Sequence, residues 1–322
     1  MVRAYRTVSL NAVLLLAGIL PLDLRVWEAA SLYEVRRGVT LPELGDREVE
    51  RSAKYATLPH PATNRDYKFT SLTDQEEVNR HNDQAVRIYT DGSKIEGKVG
   101  AAISIWNDVS ETKALKLKLD SHCTVYQAEL LAVEKATTLI LESQEQTFGI
   151  YSVSRSFLEA VIGGHSLHPL VTKIRGNLNN CHSQNKTVSL FWVKAHAGLE
   201  GNERADKLAK EAALNLKRKP DYDQCPISFV KRQLRIKTME EWNLRYRSGE
   251  TAATTKVFYP DAIEAYREIR KLEHTALQTQ ILTGHAASAP ADPSPGAIRA
   301  PSFAKGALRT QSAPSSTRTH GR

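Results

Sequence analysis

Four residues of this chain have the types and positions that metal-assisted or acid–base chemistry requires. Asp91 follows the strand-like run Val86-Arg-Ile-Tyr-Thr90, Glu129 lies near the start of a helix-like run, and Asp206 lies on a later one. If the first strand is central in its sheet, these carboxylates converge on one oxygen-rich site, which is the environment that Mg²⁺ or Mn²⁺ prefers. His196 stands on a glycine-flanked loop before the later helix, where it could carry a proton.

Each of these residues also has a plainer interpretation. A surface carboxylate usually serves solubility, and a loop histidine is often hydrogen-bonded to backbone without any part in catalysis. From spacing alone both interpretations stay open. The stretch Asp91-Gly92-Ser93 is typical of a tight turn at the end of the strand, where glycine would let a ligand approach the backbone closely.

Changes in hydrophobic period predict the elements that would position these residues. Strands are predicted at Val86–Thr90, Val99–Trp106, Lys113–Leu119, Phe148–Ser152 and Val188–Val193, and helices at Tyr126–Leu141, Ser154–Ile162, Leu170–Cys181 and around Leu199 to Ala212. The order is three strands, a helix, a strand, two helices, a strand and a helix. This order predicts an α/β fold with a sheet of mixed strand direction.

Composition narrows the class of protein. The 322 residues include 44 Lys and Arg against 36 Asp and Glu, a formal charge of +8, so an anionic partner such as nucleic acid fits the charge. The three cysteines are far apart and form no Cys-x-x-Cys pair, which indicates a reducing compartment and argues against a disulfide framework or a zinc knuckle. The apolar run from Ala12 to Leu20 is too short to span a membrane and predicts a packed helix that Pro21 stops.

Three motifs carry a resemblance to a known family. They are Tyr-Thr-Asp-Gly-Ser around Asp91, Gln-Ala-Glu-Leu around Glu129, and Trp-Val-Lys-Ala-His-Ala-Gly followed by Gly-Asn-Glu-Arg-Ala-Asp, which contain His196 and Asp206. With these motifs, the chain from about residue 86 to residue 216 resembles type 1 ribonuclease H. The resemblance implies a ribonuclease H-like α/β fold with a mixed five-stranded sheet, helices on both faces and helical flanking segments.

The resemblance also implies a reaction, the metal-dependent endonucleolytic hydrolysis of the RNA strand of an RNA/DNA hybrid. It assigns Asp91, Glu129 and Asp206 as catalytic carboxylates that bind two Mg²⁺ or Mn²⁺ ions, and His196 as a catalytic, mobile loop histidine. Gly92 and Ser93, beside Asp91, are the expected substrate contacts.

The chain departs from the family pattern at one position. The family places a further carboxylate after the fourth strand, and this chain has Val153 there, in Tyr-Ser-Val-Ser-Arg. Valine cannot bind a metal ion, although a β-branched residue suits a strand end. Two hypotheses therefore stay open: an active nuclease, or a catalytically degenerate module that binds nucleic acid without cutting it.

The flanks predict four regions. Residues 1–84 are expected to be a helical segment and linker resembling the region after the reverse transcriptase of non-long-terminal-repeat retrotransposons, and residues 85–216 the ribonuclease H domain. Residues 217–286 are expected to be a basic helical extension, in which Val230, Leu234, Trp242 and Tyr246 recur at near-helical spacing. Residues 287–322, rich in Pro, Ser and Ala, are expected to be disordered.

The resemblance suggests a reverse transcriptase as a protein partner. The location is expected to be intracellular, in nucleus or cytoplasm, with no membrane partner and no secretion.

Overall fold

The computed structural model describes residues 4–58, 67–81, 83–108, 110–195, 197–215, 217–272 and 275–285. The predicted disorder of residues 287–322 therefore lies outside the described residues. The chain divides into two compact units, one of residues 30–234 and the other of residues 1–29 with the chain from residue 235 onward. The four predicted regional boundaries remain a prediction.

The unit of residues 30–234 is built on a six-stranded mixed sheet. Its strands, in chain order, are β1 Phe69–Leu72, β2 Val86–Ile95, β3 Lys98–Trp106, β4 Glu111–Leu119, β5 Thr147–Ser152 and β6 Thr187–Val193. They lie side by side in the order β1-β6-β5-β2-β3-β4. Strands β2, β3 and β4 form an antiparallel meander, whereas β2, β5, β6 and β1 pair in parallel. The central strand is therefore β2, which has a parallel neighbour on one side and an antiparallel neighbour on the other.

Helices cover both faces of this sheet, because parallel strands need crossover connections. They are α3 Gln75–Arg80, α4 Val125–Glu142, α5 Arg155–Ile162, α6 Pro169–Ser183 and α7 Glu200–Asn215. Side chains that alternate along the strands build two cores: Ile88 joins the larger core with α4, α5 and α6, whereas Tyr89 packs with Leu199 and Ala205 of the α7 side. The two sides of the sheet are therefore both buried.

The sheet has one strand more than the five predicted. Strand β1, only four residues long, lies in the stretch predicted as a linker and pairs in parallel with β6, from Phe69 opposite Leu190 to Leu72 opposite Val193. So short a segment has no clear alternation of its own. Its extended conformation is stabilised by pairing with the edge of β6, and the sequence of residues 69–72 alone does not indicate this pairing.

The predicted turn at Asp91-Gly92-Ser93 is wrong. These residues lie inside β2 and pair with Ala102, Ala101 and Gly100 of β3. The chain reverses instead at Glu96 and Gly97, where φ is 51° and 79°. Antiparallel pairing with β3 holds the Asp-Gly-Ser stretch extended, and it overrides the local preference of these residue types for a turn.

The second unit is helical. It contains α1 Leu10–Leu16, α9 Ala253–Phe258, α10 Ala262–Ile269 and α11 Ala276–Thr283, together with the first part of α2 Leu22–Arg36 and the later part of α8 Ile227–Ser248. Its core is formed by Leu15, Leu16, Leu20, Leu24, Met239, Trp242, Tyr246, Ala262, Ala265 and Ile269. The first helix ends before the predicted stop, because Gly18 takes a left-handed φ of 61° and Pro21 precedes α2 directly.

The helix predicted in the basic extension is confirmed as α8. The four residues at near-helical spacing are buried, namely Val230, Leu234, Trp242 and Tyr246. In the described parts of the chain, no helix combines the length and apolar character that crossing a membrane would require.

Candidate active site

Asp91 lies where β2 leaves its parallel neighbour. The last pair between β2 and β5 is Thr90 with Ser152, whereas the pairing of β2 with β3 continues past Asp91 to Ile95. The edge of β2 beyond Thr90 is therefore not hydrogen-bonded to β5, and a cleft can open there. The Asp91 side chain is nevertheless mostly buried, with 8% of the residue exposed.

Glu129 reaches Asp91 because glycine stands at position 92. A Cβ atom on Gly92 would lie 2.8 Å from the backbone nitrogen of Glu129 and 3.0 Å from the Cβ of Ala128, so only glycine lets the start of α4 pack so closely against β2. The start of α4 is fixed by a capping box between Thr124 and Gln127. Glu129 follows two residues later and is 5% exposed.

Asp206 lies in the second turn of α7, which packs closely on β2 and β3. A Cβ atom on Gly100 would lie 2.3 Å from the backbone nitrogen of Ala213, and one on Gly201 would lie 2.3 Å from the ring of Tyr89. These two glycines therefore set how closely α7 approaches the sheet. One turn beyond Asp206, the Lys210 ammonium lies 2.6 Å from its Oδ2.

The structure brings the three predicted carboxylates together around Asp91. Its carboxyl group lies close enough to the Asp206 and Glu129 carboxyl groups to interact electrostatically with both. Burial, reinforced by the negative charge of Asp206, raises the pKa of Asp91 from 3.8 to about 7. Burial and the charge of Asp91 likewise raise the pKa of Glu129 well above its ordinary value. The site thus concentrates negative charge that its own surroundings compensate incompletely.

The chemistry of this donor set fits a hard divalent cation. Carboxylate oxygens are the ligands that Mg²⁺ and Mn²⁺ prefer, and Glu129 Oε2 is buried without a hydrogen-bond partner among the described residues. As placed, however, the described residues contain no group of three or more His, Cys, Asp or Glu side chains arranged to hold a metal ion. The Lys210 ammonium donates a hydrogen bond to Oδ2 of Asp206, so this oxygen is not free to bind a metal ion.

The other predicted site residues have different outcomes. His196 lies outside the described residues. Gly92 and Ser93 are half-buried beside Asp91. Val153 is partly buried and packs against the apolar cluster that contains Tyr89 and Leu199, and its carbonyl accepts a hydrogen bond of 2.9 Å from Trp192 Nε1. A valine at this position thus adds apolar packing to the strand end.

Two lysines near the site were not predicted. Lys210 stands four residues after Asp206 on one helix, a spacing that could have revealed the pair. Lys94, at the end of β2, donates hydrogen bonds of 3.0 and 2.8 Å to the carbonyls of Ser121 and Cys123. This lysine ties β2 to the loop that enters α4, and no sequence pattern signals such a long-range contact.

Part of the chain matches a known protein family. Residues 83–214 match the RNase H family model. No curated protein matches the chain. The ribonuclease H-like α/β fold expected from the sequence, with a mixed sheet, helices on both faces and helical flanks, is confirmed.

Three solved structures that match part of this chain come from a bacterium, an archaeon and a virus. The N-terminal RNase H domain of rv2228c from Mycobacterium tuberculosis, solved as a maltose-binding protein fusion, is 20% identical with a TM-score of 0.34, over 40% of this chain and 98% of that chain. RNase H1 from Halobacterium salinarum NRC-1 is 18% identical with a TM-score of 0.33, over 39% and 96%. The foamy viral protease-reverse transcriptase in complex with dsDNA is 19% identical with a TM-score of 0.36, over 42% and 97%.

Proposed function

We propose, because residues 83–214 match the RNase H family model, that this chain binds RNA/DNA hybrids and hydrolyses their RNA strand endonucleolytically, with divalent metal ions. The observation that supports the proposal most is the burial of Asp91 and Glu129 together with the electrostatic coupling of Asp91 to both Glu129 and Asp206. Three buried or half-buried carboxylates in one place are costly for a fold unless they serve a cation or a reaction.

Asp91, Glu129 and Asp206 are the residues that would hold Mg²⁺ or Mn²⁺. Bound divalent ions would supply activation of the attacking water and stabilisation of the leaving 3′ oxygen. Asp91 would act together with Glu129 of α4 and with Asp206 of α7, because it is the carboxyl group that is coupled to both others. Lys210 would have to release Asp206 oxygen Oδ2 before that atom could serve as a ligand.

The same surface would recognise the hybrid by shape. Gly92 and Ser93 are half-buried beside Asp91, where they would contact the RNA strand near the scissile phosphate. Hybrid recognition of this kind uses 2′-hydroxyls of the RNA and phosphates of the DNA and reads little base sequence. We assign His196 the role of a proton carrier on the basis of its motif.

A second candidate function follows from Val153. With valine in place of a further carboxylate, the site has one oxygen ligand group fewer, which weakens the site that generates the nucleophile. The alternative is therefore a nucleic-acid-binding module that holds the hybrid and does not cut it. We further propose that the chain derives from a retroelement polyprotein, acts beside a reverse transcriptase and works inside the cell.

One assay separates these functions. The full chain is incubated with an end-labelled RNA/DNA hybrid and with Mg²⁺ or Mn²⁺, beside an Asp91→Asn variant and the matched exposed control Asp46→Asn. Nuclease function predicts RNA-strand cleavage by the wild type and the control and not by Asp91→Asn. The binding module predicts no cleavage by any of the three, with hybrid binding that weakens between about 50 mM and about 300 mM salt. Cleavage unaffected by Asp91→Asn would contradict both.

A further inference from the structure

Glu50, well outside the matched segment, is the centre of a buried polar cluster. Its Oε1 accepts a hydrogen bond of 2.9 Å from Gln127 Nε2 and another from the Tyr222 hydroxyl, and its Oε2 lies 3.1 Å from His168 Nε2. The Glu50 side chain is 9% exposed. A carboxylate so deeply placed persists in a fold only when its oxygens are bonded in this way.

The backbone around Glu50 joins the chain before the domain to the chain after it. Glu50 donates its backbone N–H to the carbonyl of Cys225 at 2.8 Å, and Cys225 donates its own to the carbonyl of Glu48 at 2.7 Å. The chain just upstream of Cys225 pairs in turn with the end of β4, because Asp120 donates to the carbonyl of Tyr222 at 2.9 Å. Residues 48–50 and 222–225 are thus a small two-stranded attachment to the domain.

Gln127 connects this attachment to the candidate active site. Its Oε1 accepts from the Thr124 backbone N–H at 3.0 Å, which completes the cap of α4. Its Nε2 donates to Glu50 and, at 3.2 Å, to the carbonyl of Gln224. Every polar atom of this side chain is therefore used. Glu129 lies two residues further along the same helical turn. The contacts that fix Gln127 therefore also fix the position of Glu129.

The electrostatics agree with a fixed carboxylate at this point. Burial alone would raise the pKa of Glu50, but the hydrogen bonds from His168, Gln127 and Tyr222 outweigh it and lower the pKa below its ordinary value. His168 is the N-cap of α6, and Gln127 lies in the first turn of α4. A negative charge between two helix N-termini is favourable for both helices.

We infer that Glu50 is a positioning residue for the proposed reaction, because it holds the first turn of α4, and with it Glu129, against β2. The inference rests on the proposed function for its catalytic consequence. It also means that the site of the domain depends on chain segments both before and after residues 83–214.

The test uses the full chain with Glu50→Ala and, as a matched control, Glu48→Ala, which removes an exposed carboxylate from the same segment. Two quantities are measured: Mn²⁺ affinity by titration calorimetry, and amide hydrogen exchange of residues 124–130 by mass spectrometry. Glu50→Ala should weaken Mn²⁺ binding by up to about tenfold. Glu50 acts on Glu129 only through Gln127, and loss of a direct partner of a metal ligand costs about tenfold or more. It should also speed exchange in residues 124–130 at least about tenfold, and leave β5 and β6 protected. Glu48→Ala should change neither quantity.

The two readouts separate the inference from the proposed function. Equal exchange at residues 124–130 in Glu50→Ala and Glu48→Ala would overturn the positioning role, whatever the protein does with metal. If the wild type binds no Mn²⁺ at this site, the proposed function fails, and hydrogen exchange still decides the positioning role. Should Glu50→Ala not fold, Glu50→Gln takes its place, because its amide oxygen can still accept from Gln127 and Tyr222, whereas the charge and the oxygen that faces His168 are lost. Exchange of residues 124–130 that is faster than in Glu48→Ala is then still the expected result.

Discussion

Replacing Asp91 with asparagine should stabilise the metal-free protein. The candidate site crowds three carboxyl groups, and the pKa of Asp91 rises from 3.8 to about 7 because of burial and of Asp206. A carboxyl group whose pKa is raised on folding holds its proton in the folded state after the unfolded state has lost it. The folded state is therefore penalised progressively as the pH rises from about 4 to about 7.

The magnitude follows from the displacement of the pKa. A change from 3.8 to about 7 corresponds to roughly 4 kcal/mol above pH 7, at about 1.4 kcal/mol for each pH unit. The repulsion is shared with Glu129 and Asp206, so we expect Asp91→Asn to gain about 2 to 4 kcal/mol at pH 8 in the presence of EDTA. The gain should vanish only toward pH 3 and below, where both states of the wild type are mostly protonated at this position.

The three cysteines provide an assay confined to the unit that contains the site. Cys123, Cys181 and Cys225 are all free, are at most 1% exposed and belong to the unit of residues 30–234. Wild type, Asp91→Asn and Asp46→Asn are equilibrated in urea at several pH values and exposed to a brief pulse of thiol reagent. The fraction labelled reports unfolding of that unit, and its urea dependence gives the free energy of unfolding.

The result that would refute this reasoning is equally specific. If Asp91→Asn is no more stable than Asp46→Asn at pH 8, ionisation of Asp91 does not carry the cost that its burial and the charge of Asp206 impose. A gain that is the same at pH 5 and pH 8 would show that asparagine stabilises the fold for a reason unrelated to ionisation.

Three further predictions concern the framework of the same unit. Lys186 donates hydrogen bonds of 2.7 to 2.8 Å to three carbonyls at the end of α4, so Lys186→Met should cost about 2 to 3 kcal/mol in the thiol-labelling assay, and a cost under about 0.5 kcal/mol would contradict this. Gly100→Ala should cost about 3 kcal/mol or more because its Cβ would meet α7 backbone at 2.3 Å. Gly176→Ala, in a helix with no atom within 4 Å of the added Cβ, should gain about 0.5 to 1 kcal/mol, and equal effects of the two substitutions would refute the packing argument. The pKa of Glu50 is lowered on folding, so the loss of stability in Glu50→Gln should be largest above pH about 4.3 and should disappear as the pH falls through the folded-state pKa. A loss of stability that grows toward acid pH would contradict this prediction.

The sequence predicts most of the fold because the spacing of apolar residues is enough to identify long helices and strands. Alternation of lysine and leucine predicts β4, and the apolar stripe of α4 predicts that helix, to within two residues at each end. What it misses depends on tertiary pairing. Strand β1 exists through its contact with β6, and the Asp-Gly-Ser stretch is extended because β3 pairs with it.

The candidate site shows the same division. The motifs predict that Asp91, Glu129 and Asp206 converge. In the structure, Asp91 is electrostatically coupled to both other carboxyl groups, while the catalytic roles remain a prediction. The role of Glu50 could not be predicted, because this residue stands 77 residues before Gln127. A single polar side chain gives no signal of a partner so distant in sequence.

Val153→Asp tests the central claim most directly, with Val153→Asn as a control that adds an oxygen and no charge. The measurement is the single-turnover rate of RNA-strand cleavage in the labelled hybrid with saturating Mn²⁺, with hybrid affinity measured in parallel. The introduced carboxylate should raise the cleavage rate at least about tenfold over the wild type and over Val153→Asn, because it adds a metal ligand. The affinity for the hybrid should change less than about twofold, because the carboxylate adds no substrate contact. Equal cleavage rates in wild type and Val153→Asp, or cleavage by neither, would contradict the claim that these carboxylates form a metal-dependent nuclease site limited by the valine.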